Sequence, residues 1–214
     1  MARLWPEAKV TATDLIPPKP DGDVLPNLRF LKSNADGEWP FDVGEFDFIH
    51  GRMLTSGIHD WPGFLAKCYR HLAPNGSLEL LDVCHPFRAA TPEFDSPDAS
   101  PFIAFGCLAE KSWSRSGLDY FTTEKHTARL QELGFGQISE AALRWPLGEW
   151  GTGDNECEIG RLSLTNFTHF LNAAGKSILT NQGFMAEAEA EGIVHAAMQD
   201  LLQNCLQKRF FLTM

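Results

Sequence analysis

Six polar side chains lie at or just after the carboxyl ends of predicted strands, at the sheet edge where α/β proteins bind their ligands. They are Asp14, Asn34, His50, Arg52, Asp82 and His85. A carboxylate accepts hydrogen bonds from hydroxyl groups, and a histidine whose pKa is near the working pH can take a proton from a reacting group. Each residue type also has a structural interpretation. Asp14 fits a solvated turn, Asn34 an Asx-turn, and His50 a histidine held by backbone hydrogen bonds.

The elements that would carry these residues alternate between strand and helix patterns. β-rich runs, each followed by turn residues, cover 9–15, 28–32 and 46–50. A helix is predicted to begin at Asp60, a good N-cap, and a buried strand follows over 77–83. This order predicts an α/β sheet.

Residues 85–120 show neither the apolar period of a helix nor that of a strand. They interleave prolines with aromatic residues, which predicts an aromatic-rich loop or lid. Trp113 and Tyr120, with Phe102 and Phe105, would line an apolar pocket if this lid covers the site, and would pack within the loop otherwise. Later patterns predict a helix over 122–133, a strand over 137–145 and helices in the last third. We expect a single domain over 1–214.

Composition excludes several classes of partner. The 214 residues carry a net charge of −10, which argues against nucleic-acid binding and a polybasic membrane anchor. No run approaches the roughly 20 apolar residues that span a bilayer. The five cysteines and seven histidines are scattered, so we expect neither a disulfide framework nor a metal site. The N-terminus shows no secretory pattern, and we expect a cytoplasmic or nuclear protein that binds a small molecule.

Several motifs together resemble a known family. Ile49-His50-Gly51-Arg52 ends the third predicted strand, Asp60-Trp61-Pro62 begins the first helix, and Leu78-Glu79-Leu80 lies in the strand after it. With Trp5-Pro6-Glu7 before the first strand, they resemble the LaeA-like group of fungal class I S-adenosylmethionine methyltransferases. The resemblance is strongest over 5–83 and implies a Rossmann-like class I methyltransferase fold with C-terminal helices.

The resemblance also implies roles for the candidate residues. Asp14 would bind the ribose hydroxyls of S-adenosylmethionine, and Asn34 and Ala35 would lie beside the adenine. His50 would face the methionine end or the acceptor. The candidate catalytic bases are His50 and His85. The candidate residues of the acceptor pocket are Arg52, Asp82, Trp113 and Tyr120.

One segment of the family pattern is missing. In the family, the first strand leads into an acidic, glycine-rich loop called motif I, which holds the methionine part of the cofactor. This loop should lie upstream of Trp5. The run Gly151-Thr152-Gly153 is interpreted as a turn. The fold is therefore predicted to lack its first strand, between those that end at Asp14 and His50. Those two strands would pair directly, another chain or a rebuilt segment would fill the slot, or the sequence is a truncated gene product.

Two functions follow from these observations. The first is a methyltransferase of fungal secondary metabolism that methylates a small natural product. The alternative is a degenerate methyltransferase fold, acting as a cofactor-independent isomerase or cyclase, or as a subunit of a regulatory complex, with a second copy or a regulatory protein as partner. Without motif I only the ribose and adenine contacts remain, so we expect weak or absent binding of S-adenosylmethionine.

Overall fold

The computed structural model describes residues 1–17 and 25–214, and for His85 and Pro86 it describes the backbone alone. The chain divides into two compact units. The N-terminal unit comprises Met1–Ile49 and Asp60–Glu79, and the C-terminal unit comprises His50–His59 and Leu80–Met214. Compact units of this kind occur within domains as well as between them, so the single domain over 1–214 stays a prediction.

The N-terminal unit is built on two parallel strands and a helix. Strand β1 (Val10–Asp14) pairs with β2 (Leu28–Lys32), in a register that runs from Val10 opposite Leu28 to Asp14 opposite Lys32. Helix α1 (Trp61–His71) begins where the sequence predicts, because the Asp60 carboxylate accepts the N–H of Gly63 at 3.0 Å. The apolar stripe of α1 is buried through Trp61, Phe64, Leu65 and Cys68.

Two strands continue from the N-terminal unit into the C-terminal one. Strand β3 (Phe46–Arg52) pairs with β4 (Leu72–Leu81). Gly76 lies beside the Phe46 carbonyl and Gly51 beside Leu80, so the two strands run in the same direction. Among the described residues β1 pairs with β2 and β3 with β4, in separate sheets. Direct pairing of β1 with β3, the first of the three outcomes expected above, is therefore not observed there.

The C-terminal unit combines helices with a small antiparallel sheet. Its elements are β5 (Cys84–Ala89), α2 (Pro101–Arg115), α3 (His126–Leu133), β6 (Arg144–Pro146), α4 (Asp154–Phe170), α5 (Lys176–Thr180), α6 (Glu187–Lys208) and β7 (Phe210–Thr213). The sheet has the order β5-β7-β6, and both pairings are antiparallel. A π-helical turn, Leu171–Gly175, joins α4 to α5, and 3-10 turns cover Pro92–Phe94, Thr123–Lys125 and Asn181–Gly183. Side chains from α2, α6 and β7 form much of the core.

The prediction of an irregular loop over 85–120 is wrong, because β5 and α2 occupy most of that segment. A lid role for the segment stays a prediction. Helix α2 starts at Ser100, whose hydroxyl accepts the N–H of Ile103 at 3.3 Å. Pro101 occupies the first turn, where a proline costs no hydrogen bond, and the other prolines precede the helix. The segment's aromatic residues belong to the core, with Phe102 and Phe105 fully buried.

Other boundaries differ less. Helix α3 ends where predicted, with Gly134 in the left-handed conformation. The predicted strand over 137–145 shortens to β6, and its partner β7 was not predicted. The last third is helical, as predicted.

A buried ion pair within α6 is hydrogen-bonded to the start of α2. Asp200 and Lys208 are 4% and 7% exposed, and the lysine Nζ lies 2.6 Å from the Asp200 Oδ1. The other carboxylate oxygen accepts the Ser100 hydroxyl at 2.6 Å. Burial alone would raise the pKa of Asp200, but hydrogen bonds from Lys208, Ser100 and Asn204 hold that pKa below its usual value. Asp200 is therefore charged in the folded protein at neutral pH.

Replacing Lys208 should destabilise the protein strongly. In Lys208→Met the Asp200 carboxylate stays buried without its partner, and the free energy of unfolding should fall by about 3–5 kcal/mol. Urea unfolding at neutral pH measures this change. Lys176→Met is the matched control, because Lys176 lies 3.6 Å from Glu187 in an exposed ion pair, where we expect a loss of about 0–1 kcal/mol. Equal losses in the two variants would contradict the account.

Candidate functional site

The parallel register of β1 and β2 brings two of the predicted cofactor-binding segments together. The N–H of Ser33, directly after β2, donates to the carbonyl of Asp14 at 3.0 Å. The Asp14 side chain is exposed, and its Oδ1 accepts the N–H of Ile16 at 2.9 Å. This hydrogen bond forms a solvated turn at Asp14, as the structural interpretation of this residue predicts. Its second oxygen, Oδ2, can still accept a hydroxyl from a ligand.

Residues Asn34–Gly37 form a tight turn beside Asp14. The Asn34 carbonyl accepts the N–H of Gly37 at 3.0 Å, and the Asn34 side chain accepts the N–H of Asp36 at 3.0 Å. The Asx-turn interpretation of Asn34 is therefore confirmed. Within the described part of the chain, the N–H groups of Asn34 and Ala35 donate to no other group. Two successive donors are thus available in the turn that follows Ser33, whose own N–H is bonded to the Asp14 carbonyl.

A lysine of helix α1 forms hydrogen bonds with this turn. The Lys67 ammonium donates to the carbonyls of Ala35 at 2.7 Å and Gly37 at 2.9 Å. The indole N–H of Trp39 donates to the same Ala35 carbonyl at 3.1 Å. Lys67 is not among the site residues that the sequence predicts. A signal was present, because Lys67 lies three residues after Phe64 and four before His71, both of which are buried.

The turn after β3 is organised by Asp82 in the C-terminal unit. One oxygen of its carboxylate accepts the N–H groups of Leu54 at 2.7 Å and Thr55 at 2.8 Å, and the other accepts the N–H of Val83 at 2.9 Å. Gly51 lies at the end of β3 against the side-chain ends of Leu54 and Leu80, so a larger residue there would displace those two leucine side chains. The structure thus gives Asp82 a loop-holding role, and its place in an acceptor pocket stays a prediction.

The remaining candidate residues are placed as follows. His50 and Arg52 are exposed on β3. The side chain of His85 lies outside the described residues. Trp113 and Tyr120 stack with ring centroids 4.5 Å apart, and Tyr120 is 3% exposed. Burial raises the pKa of Tyr120, and the charges of Glu110 and Asp82 act in the same direction. Their role in a substrate pocket stays a prediction.

His126, at the start of α3, was not identified from the sequence. Burial lowers its pKa to about 4, and the Arg129 charge adds to this effect. The carboxylates of Asp82, Asp119 and Glu140 oppose it. His126 is therefore neutral at pH 7, in the neighbourhood of Asp82. No sequence signal pointed to it, since its environment is made by residues distant in the chain.

Three further features are the glycine run over 151–153, the placement of metal-ligating residue types and the apolarity of the helices. Gly151-Thr152-Gly153 forms a bend before α4, where the Glu156 carboxylate accepts the N–H of Thr152 at 2.7 Å and its hydroxyl at 3.1 Å. Among the described residues, no group of three or more His, Cys, Asp or Glu side chains is arranged to hold a metal ion. No helix in the described ranges has the length and apolarity needed to cross a membrane.

The pKa of His126 predicts a pH-dependent loss of stability. Because the ordinary value is 6.5 and the folded value is about 4, the unfolded chain binds the proton more tightly between these values. The contribution of neutral His126 is therefore complete above pH 6.5 and is lost as the pH falls towards about 4. Urea unfolding at a series of pH values should show a shallower decline for His126→Gln than for the wild type. His169→Gln, at an exposed position of α4, should keep the wild-type slope; an unchanged slope in His126→Gln would refute the assignment.

Comparisons with known proteins agree with the motifs. Residues 1–140 match a protein family described as "Methyltransferase domain". The chain is 27% identical over 181 residues to methyltransferase pytC of Aspergillus terreus, covering 84% of this chain and 55% of that protein. It is 28% identical over 146 residues to methyltransferase cpsF of Aspergillus campestris, covering 68% and 50%.

A regulatory protein is also among the relatives. Secondary metabolism regulator laeA of Aspergillus fumigatus is 24% identical over 162 residues, covering 75% of this chain and 43% of that protein. The chain spans about half the length of the curated relatives it matches. The resemblance to LaeA-like fungal methyltransferases is confirmed. Because the family match covers more than half of the sequence, the chain belongs to the methyltransferase domain family, with its Rossmann-like class I fold.

Proposed function

We propose that this protein is an S-adenosylmethionine-dependent methyltransferase of fungal secondary metabolism whose acceptor is a small natural product. One observation carries the proposal. Asp14 and the Asn34–Gly37 turn lie together at the carboxyl ends of β1 and β2, joined by the hydrogen bond from Ser33 to Asp14. This is the sheet edge where α/β folds bind nucleotides. Family membership and the pytC and cpsF relatives support the same function.

The residues at this edge fit the nucleoside end of the cofactor. A ribose hydroxyl would donate to the Asp14 Oδ2, because Oδ1 is occupied by Ile16. The N–H groups of Asn34 and Ala35 would donate to ring nitrogens of adenine, which are hydrogen-bond acceptors. The acceptor at Asp14 and the donors at Asn34 and Ala35 therefore match the hydrogen-bonding groups of a nucleoside in type.

Bound S-adenosylmethionine would supply an already activated methyl group, so the protein's task is to position the acceptor and exclude water. His50 and His85 are the candidate bases for the acceptor's proton. His126 is a poorer candidate, because a pKa of about 4 makes it a weak base at neutral pH. Arg52, Asp82, Trp113 and Tyr120 remain the proposed acceptor-pocket residues.

A second function is favoured by two observations. In the described residues β1–β2 and β3–β4 are separate sheets, and the relatives include regulators of secondary metabolism. A chain that no longer methylates could act as a cofactor-independent isomerase or cyclase, or within a regulatory complex. Nucleoside binding distinguishes the two functions.

Substitutions of Asp14 test the ribose contact. Asp14→Asn keeps an oxygen for the Ile16 N–H but replaces the free oxygen with a donor, so the affinity for S-adenosylhomocysteine should fall by about tenfold or more. Ligand-observed NMR measures this affinity even when binding is weak. Asp47→Asn, an exposed site on β3, is the control and should bind as the wild type does. Wild-type affinity in Asp14→Asn would remove the ribose assignment, and absent binding by the wild type would favour the second function.

A comparison of ligands tests which part of the cofactor this chain holds. The contacts proposed above reach only ribose and adenine, so adenosine and S-adenosylmethionine should bind the 214-residue chain with affinities within about tenfold of each other. Parallel titrations by isothermal calorimetry or NMR provide the measurement. Micromolar binding of S-adenosylmethionine together with much weaker adenosine binding would contradict the expectation, since the methionine part would then contribute most of the free energy.

A further inference from the structure

We propose that Lys67 is a positioning residue for adenine recognition: from α1 it fixes the Asn34–Gly37 turn so that the Ala35 N–H is presented to the base. The inference deepens the proposed function and rests on it. Lys67 would not touch the nucleoside itself. It would act through the turn, which separates its role from that of Asp14.

Lys67 clamps the turn by bonding two of its carbonyls. Its ammonium reaches two carbonyls of the same turn, Ala35 at 2.7 Å and Gly37 at 2.9 Å. It also lies 5.9 Å from the centre of the Trp39 ring, within the range of a cation–π interaction. The side chain is half-buried, so these bonds are partly shielded from water.

The clamp decides which groups of the turn remain free. The Ala35 carbonyl accepts from both Lys67 and Trp39, which fills its two lone pairs. The next N–H, that of Asp36, is held by the Asn34 side chain. The Ala35 carbonyl and the Asp36 N–H belong to one peptide group, which is thereby fixed from both ends. The neighbouring Ala35 N–H is left as a donor with a fixed direction.

Helix α1 provides a rigid base for the clamp. The Lys67 carbonyl and the His71 Nδ1 form a hydrogen bond of 2.8 Å. The ring centroids of His71 and Trp39 lie 5.2 Å apart. At the other end of the helix, the N–H of Asp60 donates to the Asp36 carboxylate at 3.4 Å. The turn is thus tied to α1 at both ends of the helix, and a shift at Lys67 would move the donors that face the base.

The test compares two nucleosides in the full chain. Adenosine has an acceptor at N1, whereas inosine carries a hydrogen there and cannot accept from the Ala35 N–H. We expect the wild type to prefer adenosine. Lys67→Met keeps the aliphatic stem and removes the donors, so adenosine affinity should fall about tenfold while inosine affinity stays within about twofold. Lys67→Arg should restore part of the preference.

The controls separate positioning from general stability. Arg70→Met changes an exposed cation on the same helix and should leave both affinities unchanged. Trp39→Phe removes the second donor to the Ala35 carbonyl and keeps an aromatic ring, so it should reduce the adenosine preference by a smaller factor. Without ligand, Lys67→Met should speed amide hydrogen exchange at Asp36 and Gly37, and Arg70→Met should not.

The outcomes are distinguishable. If the wild type binds neither nucleoside, the proposed function fails and this inference fails with it. If the wild type prefers adenosine and Lys67→Met keeps that preference, the inference alone is overturned. An equal weakening of both nucleosides, or unchanged exchange at Asp36 and Gly37, would also overturn it, because Lys67 would then only stabilise the fold or would not hold the turn.

Discussion

The parallel hydrogen-bonded register of β1 and β2 is the constraint on which the proposed nucleoside site depends. Two parallel strands present both carboxyl ends at one edge, so Asp14 and the turn after β2 become neighbours although about 20 residues separate them in the chain. The bond from the Ser33 N–H to the Asp14 carbonyl extends this pairing by one residue. A shift of register would separate the carboxylate from the two free N–H donors.

Helix α1 converts this neighbourhood into a fixed arrangement. A short exposed turn would sample many conformations, and ordering it on binding would cost conformational free energy. The contacts of Lys67 and Trp39 with the Ala35 carbonyl order the turn before any ligand arrives. In the C-terminal unit Asp82 has a comparable role, since its carboxylate holds the N–H groups of Leu54 and Thr55. In both places a charged side chain fixes backbone that follows a strand.

The sequence predicts well what depends on local signals. Capping and turn chemistry within a few residues predicts the Asp60 N-cap, the Gly134 helix end and the strand that ends at Asp14. The frequent prolines of 85–120 predict a loop, but Pro101 occupies the first turn of α2 after the Ser100 cap, where a proline is compatible with a helix. Helix spacing places Lys67 next to the buried residues Phe64 and His71, but it does not reveal which carbonyls Lys67 reaches. The charges around His126 likewise come from segments distant in the chain.

The central claim is that the β1–β2 edge binds a nucleoside through the turn at Asn34 and Ala35. The most direct measurement is a titration of the isotopically labelled chain with adenosine, observed in amide NMR spectra. The account predicts that the resonances of Asn34 and Ala35 shift progressively and saturate, and that those of exposed positions of helix α4, such as His169, stay unchanged. Saturable shifts located elsewhere, or no shift at Asn34 and Ala35 in the folded protein, would contradict it.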